Sequence, residues 1–242
     1  IPLRLVGSEM CIRDRSFTHS SVTYGALTSL AMPLRAGLIV AALLGVLSFA
    51  SFARADSRPL QLVAFGDSLT AGYLLPQDKA LPTVLEKLLK DKGRNVTITN
   101  AGVSGDTTAD GLARLDWSIP EGVSGVILAL GANDMLRGLD PAIPRANLTA
   151  ILDRLKARGI PVFLLGMRAP ANYGPAYVQA FDSLYPDLAK AYSTPLYPFM
   201  LAGVAGRAEL LLSDGLHPNA TGVEELARQI LPQLDEFVAS LR

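Results

Sequence analysis

The chain has 242 residues, half of them apolar, and its 22 basic residues are matched by 22 acidic ones. That length and apolar content suffice for one packed domain or two, and the charge balance excludes a strongly basic nucleic-acid-binding surface and a disordered polyelectrolyte. The single cysteine, Cys11, excludes an internal disulfide, and its place near the start removes thiol catalysis and thiolate–metal sites from the rest of the chain.

Residues Ile1 to Ala31 show no periodicity, and the run Leu5 to Arg15 looks like translated sequencing adapter rather than native protein; a disordered leader is the other reading. From Met32 the pattern changes. Met32-Pro33-Leu34-Arg35 is a short basic start, Ala36 to Ala50 is uncharged and mostly apolar, and Ala53-Arg54-Ala55 is a small-x-small cleavage site. These are the parts of a secretory signal peptide over 32–55, with a mature chain beginning at Asp56. Arg35 and Arg54 bracket 18 uncharged residues, so an uncleaved membrane anchor is the competing reading. The Ala-x-Ala site favours cleavage, and no later apolar stretch is as long. The expectation is a periplasmic or secreted protein with no stable membrane insertion after cleavage. A lipid anchor lacks support, because no cysteine follows the apolar segment.

From Asp56 onward, strands and helices alternate. Leu60–Phe65 is an apolar run interrupted only by Gln61 and predicts a buried strand. Leu81–Lys92 predicts a helix with Leu81, Val84, Leu85, Leu88 and Leu89 on one face, stopped by Gly93. Val96–Asn100 is a second strand. Thr107–Trp117 is a helix with Asp106 or Thr107 as its cap. Gly125–Leu130 is the third strand, Pro141–Arg158 a helix and Pro161–Gly166 the fourth strand. Ala176–Tyr192 is helical in pattern, with Pro186 expected to kink or split it. Pro195–Phe199 is a short fifth strand, and Ala220–Leu241 a final helix capped by Asn219. This alternation predicts one parallel sheet covered on both faces, in a single domain over 56–242.

Four strands run directly into small polar clusters. These are Gly66-Asp67-Ser68, Gly102-Val103-Ser104-Gly105-Asp106-Thr107, Gly131-Ala132-Asn133-Asp134 and, after the fifth strand, a loop ending in Asp214-Gly215-Leu216-His217. In a parallel sheet all of these carboxyl ends share one rim. Ser68 is a candidate nucleophile but needs a base. His217 is the only candidate imidazole after Asp56, since the other histidine, His19, lies in the leader. Asp214 can hold the second ring N–H of His217. Alternatively, Asp214 caps a turn and His217 is a loop residue. The Gly105 and Ser68 backbone N–H groups and the Asn133 amide are candidate oxyanion donors, although Gly105 and Asn133 also suit plain turns. Asp67 reads as a brace for the turn or a direct participant, and Asp134 likewise as a helix-start residue or a participant. Leu69, Tyr73, Leu74, Met135 and Leu136 adjoin these clusters and are candidate substrate-binding walls.

The blocks Gly66-Asp67-Ser68-Leu69, Gly105, Gly131-x-Asn133-Asp134 and Asp214-x-x-His217-Pro218, in that order, resemble the SGNH (GDSL) hydrolase family across essentially the whole of 56–242. The stretches Asn100 to Thr108 and Pro170-Ala171-Asn172-Tyr173-Gly174 are similar to its bacterial periplasmic acyl-thioesterase, lysophospholipase and arylesterase branch. The resemblance implies a flavodoxin-like three-layer α/β/α fold with a central parallel sheet of about five strands. It implies catalysis by Ser68, Asp214 and His217, and an oxyanion hole of Ser68, Gly105 and Asn133. It also implies a small-molecule or lipid acyl ester as substrate, no metal or cofactor, and a monomer. The loop Met167–Pro175, with Tyr173, is expected to shape or gate the substrate pocket.

Other readings are weaker. An ordinary α/β-hydrolase elbow needs Gly-x-Ser-x-Gly, but Thr70 stands two residues after Ser68. A phosphate-binding Gly-x4-Gly-Lys-Ser/Thr run is absent. A carbohydrate O-acetyl esterase and a non-catalytic secreted binding domain on the same fold remain as alternatives. The second is disfavoured because no polar cluster is degraded.

Overall fold

The computed structural model of the protein describes residues 58–241. The expected leader and signal peptide lie outside these residues. Five parallel strands form the sheet: β1 (Leu60–Gly66), β2 (Val96–Gly102), β3 (Gly125–Ala129), β4 (Val162–Leu165) and β5 (Leu196–Tyr197). Their spatial order is β2-β1-β3-β4-β5. Leu62, Val63, Phe65, Val126, Leu128, Phe163 and Leu164 are all buried. That explains why β1, β3 and β4 read as mainly apolar runs: strands covered on both faces have no polar side. Each such leucine or phenylalanine stabilises the fold by roughly 1.5–3 kcal/mol relative to exposure.

The longer helices are α2 (Leu81–Asp91), α3 (Thr108–Ser118), α5 (Ala142–Ala157), α6 (Pro175–Asp182), α7 (Leu184–Tyr192) and α8 (Ala220–Ser240); two short ones, α1 (Ser68–Ala71) and α4 (Ala132–Leu136), follow β1 and β3. Helix α2 packs against α8, while α3 packs against α5, which in turn meets α7. Right-handed crossovers put these two groups on opposite faces, giving three layers. The caps follow the local chemistry. Thr107 and Asp110 form a reciprocal capping box at α3, and the Asn219 side chain accepts the Gly222 N–H at α8.

Three expectations change in detail. The long helix expected over 176–192 is divided into α6 and α7 at Ser183, three residues before Pro186. Pro186 has no N–H for the Asp182 carbonyl, and its ring would crowd that oxygen, so the break falls upstream of the proline. Strand β5 shrinks to two residues because Pro195 and Pro198 on either side of it cannot donate to the ladder. Helices α1 and α4 have no counterpart in the periodicity, since four or five residues are too few to show a 3.6-residue repeat.

Candidate active site

The strand order reverses direction at β1 and β3. In an open α/β sheet the crevice beyond the carboxyl ends of those strands is where ligands bind. The chain leaves β1 through Gly66 and enters α1 at once. A Cβ on Gly66 would lie 2.6 Å from the Ala129 carbonyl oxygen and 2.1 Å from Thr70 Oγ1, so only glycine fits. Asp67 caps α1, its Oδ1 accepting the Leu69 N–H at 3.0 Å. Ser68 therefore stands on the first turn of α1, half-buried at the crevice.

The histidine arrives from the other end of the chain. The loop before α8 is closed by the Leu212 N–H donating to the His217 carbonyl at 2.7 Å and by a bridge between Leu211 and Pro218. Within it, Asp214 Oδ1 accepts the backbone N–H groups of Leu216 and His217 at 2.9 and 3.0 Å. Its Oδ2 lies 2.7 Å from His217 Nδ1, and His217 Nε2 lies 2.8 Å from Ser68 Oγ. The His217 backbone N–H, then that of Leu216, then the imidazole hold the Asp214 carboxyl down at about 2. An ionised Asp214 takes the proton on Nδ1 as a donor to itself. The Nε2 lone pair then faces the Ser68 hydroxyl, the arrangement a base needs to accept its proton. The Tyr73 ring packs on the imidazole, centroids 4.5 Å apart.

Three further donor groups belong to residues that line the cleft at Ser68. Among the described residues the backbone N–H groups of Ser68 and Gly105 have no hydrogen-bond acceptor. Gly105 has φ +89°, a conformation that favours glycine, and its carbonyl accepts Arg137 Nη2 at 2.7 Å. Asn133, on α4, donates Nδ2–H to the Asp106 carbonyl at 2.9 Å and approaches Asp67 Oδ2 only at 3.5 Å. One amide hydrogen is thus fixed and the other is weakly held. Asp134, next in α4, is fully buried and accepts both the N–H and the hydroxyl of Thr108 at 2.8 and 2.7 Å. It ties α4 to the start of α3 and does not border the cleft.

Asp67 is 2 % exposed, and burial pushes its carboxyl up to about 6, against the opposing pull of the Leu69 N–H and His217. The sign for stability follows. Folded Asp67 keeps its proton to a higher pH than the ordinary value of 3.8, so folding takes up a proton between those values and the folded state weakens as pH rises through them. An asparagine at this position would keep the cap without titrating. The melting temperature of Asp67→Asn, relative to the parent, should therefore rise between roughly pH 4 and pH 7. A constant difference across that range would contradict the buried-carboxylate account.

The cleft beside Ser68 has a volume of about 220 Å³. Ser68, Ser104, Gly105, Asn133 and His217 form its polar part; Leu69, Tyr73, Ala132, Met135, Leu136, Met167, Leu201 and Leu216 line the rest. Two expected wall residues lie elsewhere: Leu74 is exposed, and the Tyr173 ring stacks on Tyr177 with centroids 5.1 Å apart. Met167, the first residue of the loop expected to shape the pocket, borders the cleft; Leu201 was missed and carries no sequence signal. Arg114 was also missed. It lies on the buried face of α3 with Thr108, Gly111 and Leu115, and that helical spacing was its signal. A larger hollow of about 410 Å³ lies at the amino ends of β4 and β5, with no histidine or carboxylate in its lining. Among the described residues no group of three His, Cys, Asp or Glu is placed to ligate a metal.

A doubly wound parallel sheet with a serine, an imidazole and a carboxylate in hydrogen-bonded series at its switch point has the architecture of a serine hydrolase. Residues 64–224 match the GDSL-like Lipase/Acylhydrolase family. The chain is 37% identical over 198 residues to an arylesterase of Vibrio mimicus, covering 81% of this chain and 95% of that protein. It is 38% identical over 179 residues to thioesterase 1/protease 1/lysophospholipase L1 of Escherichia coli K12, covering 73% and 84%. The crystal structure of AlinE4, an SGNH-hydrolase family esterase, is 46% identical, with a TM-score of 0.63 over 76% of this chain and 98% of that one. The protein belongs to the GDSL-like lipase/acylhydrolase family and is a carboxylic ester hydrolase.

Proposed function

We propose that Ser68 is the nucleophile of a two-step acyl transfer on esters and thioesters of short acyl chains. The observation that carries this is the series Asp214 Oδ2–His217 Nδ1 at 2.7 Å and His217 Nε2–Ser68 Oγ at 2.8 Å. His217 takes the Ser68 proton as Oγ bonds to the substrate carbonyl carbon. The carbonyl oxygen, now negative, is met by the Ser68 and Gly105 N–H groups and the Asn133 amide. His217 then gives its proton to the departing alkoxide or thiolate, leaving an acyl-enzyme. Water repeats the sequence and releases the acid.

The acyl chain is proposed to occupy the apolar part of the cleft. At about 220 Å³ the cleft is smaller than the roughly 300–1,000 Å³ usual for drug-sized ligands, which supports short chains. Its lining beyond the polar end is mostly apolar, which weighs against a carbohydrate acetyl ester. The free N–H groups at Ser68 and Gly105 weigh against a non-catalytic binding domain.

The test is hydrolysis of p-nitrophenyl esters from acetate to palmitate by the full chain. The expected profile peaks at the short end; a peak at the longest chains would contradict the substrate proposal, and no hydrolysis of any ester would contradict the catalytic one. Asn133→Ala should lower kcat by about 10²–10³-fold. A loss below threefold would move Asn133 from oxyanion binding to packing. We further propose export through residues 32–55, leaving 56–242 as the mature, monomeric enzyme. The basic, apolar and Ala-x-Ala pattern supports export and cleavage, while the monomeric state rests on the family resemblance alone; an exported protein whose amino terminus is not at or near Asp56 would refute the cleavage.

A further inference from the structure

A charged side chain inside a helix–sheet interface needs an explanation, because burying it is costly unless every donor is used. Arg114 is 7 % exposed and uses its donors in three directions. Nη2 donates to the Gly66 carbonyl at 2.9 Å, Nε to Asp106 Oδ2 at 2.6 Å, and Nη1 to Ser118 Oγ at 3.1 Å. The guanidinium also lies over the Phe65 ring, 4.2 Å from its centroid. The acceptors are not scattered. Gly66 is the last residue of β1, two before Ser68. Its carbonyl also accepts the Val103 N–H at 3.0 Å, which joins β1 to the loop carrying Gly105. Asp106 follows Gly105 directly, and its own carbonyl is the oxygen that fixes the Asn133 amide at 2.9 Å.

One planar group is thereby bonded to the backbone leading to Ser68 and to the residue between Gly105 and Asn133. We propose that Arg114 is a positioning residue for oxyanion stabilisation, setting the spacing of the Ser68, Gly105 and Asn133 donors; this rests on the oxyanion assignment proposed above. Replacement of a buried ion pair by apolar side chains is often neutral for stability, so stability alone does not account for a charge here. Arginine suits the task because its fork of donors is rigid; a lysine has one nitrogen and cannot reach Gly66 O and Asp106 Oδ2 in the same geometry.

The test is a double-mutant cycle in the full chain, with kcat and KM for p-nitrophenyl acetate and the melting temperature as readouts. Arg114→Lys should lower kcat about 10–100-fold with KM changed less than about threefold, because small displacements of preorganised groups cost rate more than ground-state binding. In an Asn133→Ala background the same substitution should cost much less, since one of the donors it places is already gone. Arg154→Lys, in the exposed pair with Asp116, should leave both constants unchanged. If Arg114→Lys does not fold, Asp106→Asn weakens the same clamp while keeping an oxygen for Nε, and the same non-additivity is expected.

Equal kcat losses in both backgrounds, or a lowered melting temperature with kcat intact, would overturn the positioning role and leave the oxyanion assignment standing. An Asn133→Ala loss below threefold would instead overturn the assignment, and the positioning role with it.

Discussion

Ser68→Ala is expected to abolish most ester hydrolysis, lowering kcat by roughly 10⁶-fold, while the protein stays folded. The size follows from the geometry. Ser68 Oγ is the one group that sits 2.8 Å from His217 Nε2 and also borders the apolar cleft and the unpaired N–H groups of Ser68 and Gly105. Removing it leaves no oxygen to form the acyl-enzyme. A residue of about 10³–10⁴-fold over water should survive, because the oxyanion donors and the cleft are untouched. The fold should be unaffected. The Asp67 carboxylate caps α1 through Leu69, and that contact does not involve the hydroxyl. Comparison of kcat with the melting temperature separates the two effects. A variant with more than a tenth of the parent rate would remove Ser68 from the chemistry.

Asp214→Asn is expected to lower kcat by about 10⁴-fold, although the substitution is nearly isosteric. The parent carboxylate accepts from three donors: the backbone N–H groups of Leu216 and His217 and the ring Nδ1–H. An asparagine can keep the two backbone bonds through its oxygen. Its NH₂ then faces Nδ1 and can only donate, so the imidazole is driven to the tautomer with its proton on Nε2. That nitrogen can no longer accept the Ser68 proton. Because the parent carboxyl is held down at about 2, it is ionised across the neutral range, and the asparagine variant lacks that charge throughout. A modest loss, below about tenfold, would mean that the imidazole is oriented by its loop and by Tyr73 rather than by Asp214.

The fold was legible because the central strands β1, β3 and β4 are written as mainly apolar runs, and because helices such as α2 and α8 show apolar faces several turns long. Short elements were not. Helix α4, which carries Asn133, spans five residues, and its start depends on Gly131 and on contacts from α3 rather than on its own periodicity. The site was legible where chemistry leaves few options. A lone histidine after Asp56 forced attention to Asp214 and His217, and the strand-end rule brought Ser68 to the same rim. The clamp was not legible, because an arginine in an amphipathic helix ordinarily lies on the solvent face. Only its helical spacing with Gly111 and Leu115 marks Arg114 as buried. The two residues adjoining the proposed catalytic and oxyanion groups, Asp67 and Asp134, could not be assigned from sequence. Their roles are set by burial and by partners on other elements. Asp134 reaches Thr108 on α3, and Asp67 caps α1 through one carboxylate oxygen while the other faces the Asn133 amide. Tyr173 failed as a wall residue for a similar reason: it adjoins the rim in sequence, but an aromatic stack with Tyr177 holds it away from the cleft.

The most direct test of the account is to treat the protein with a fluorophosphonate and locate the adduct by peptide mass spectrometry. The account predicts one phosphonyl group on Ser68, appearing in step with the loss of esterase activity and absent from His217→Ala. Loss of activity with Ser68 unmodified, or an adduct on another residue, would contradict it.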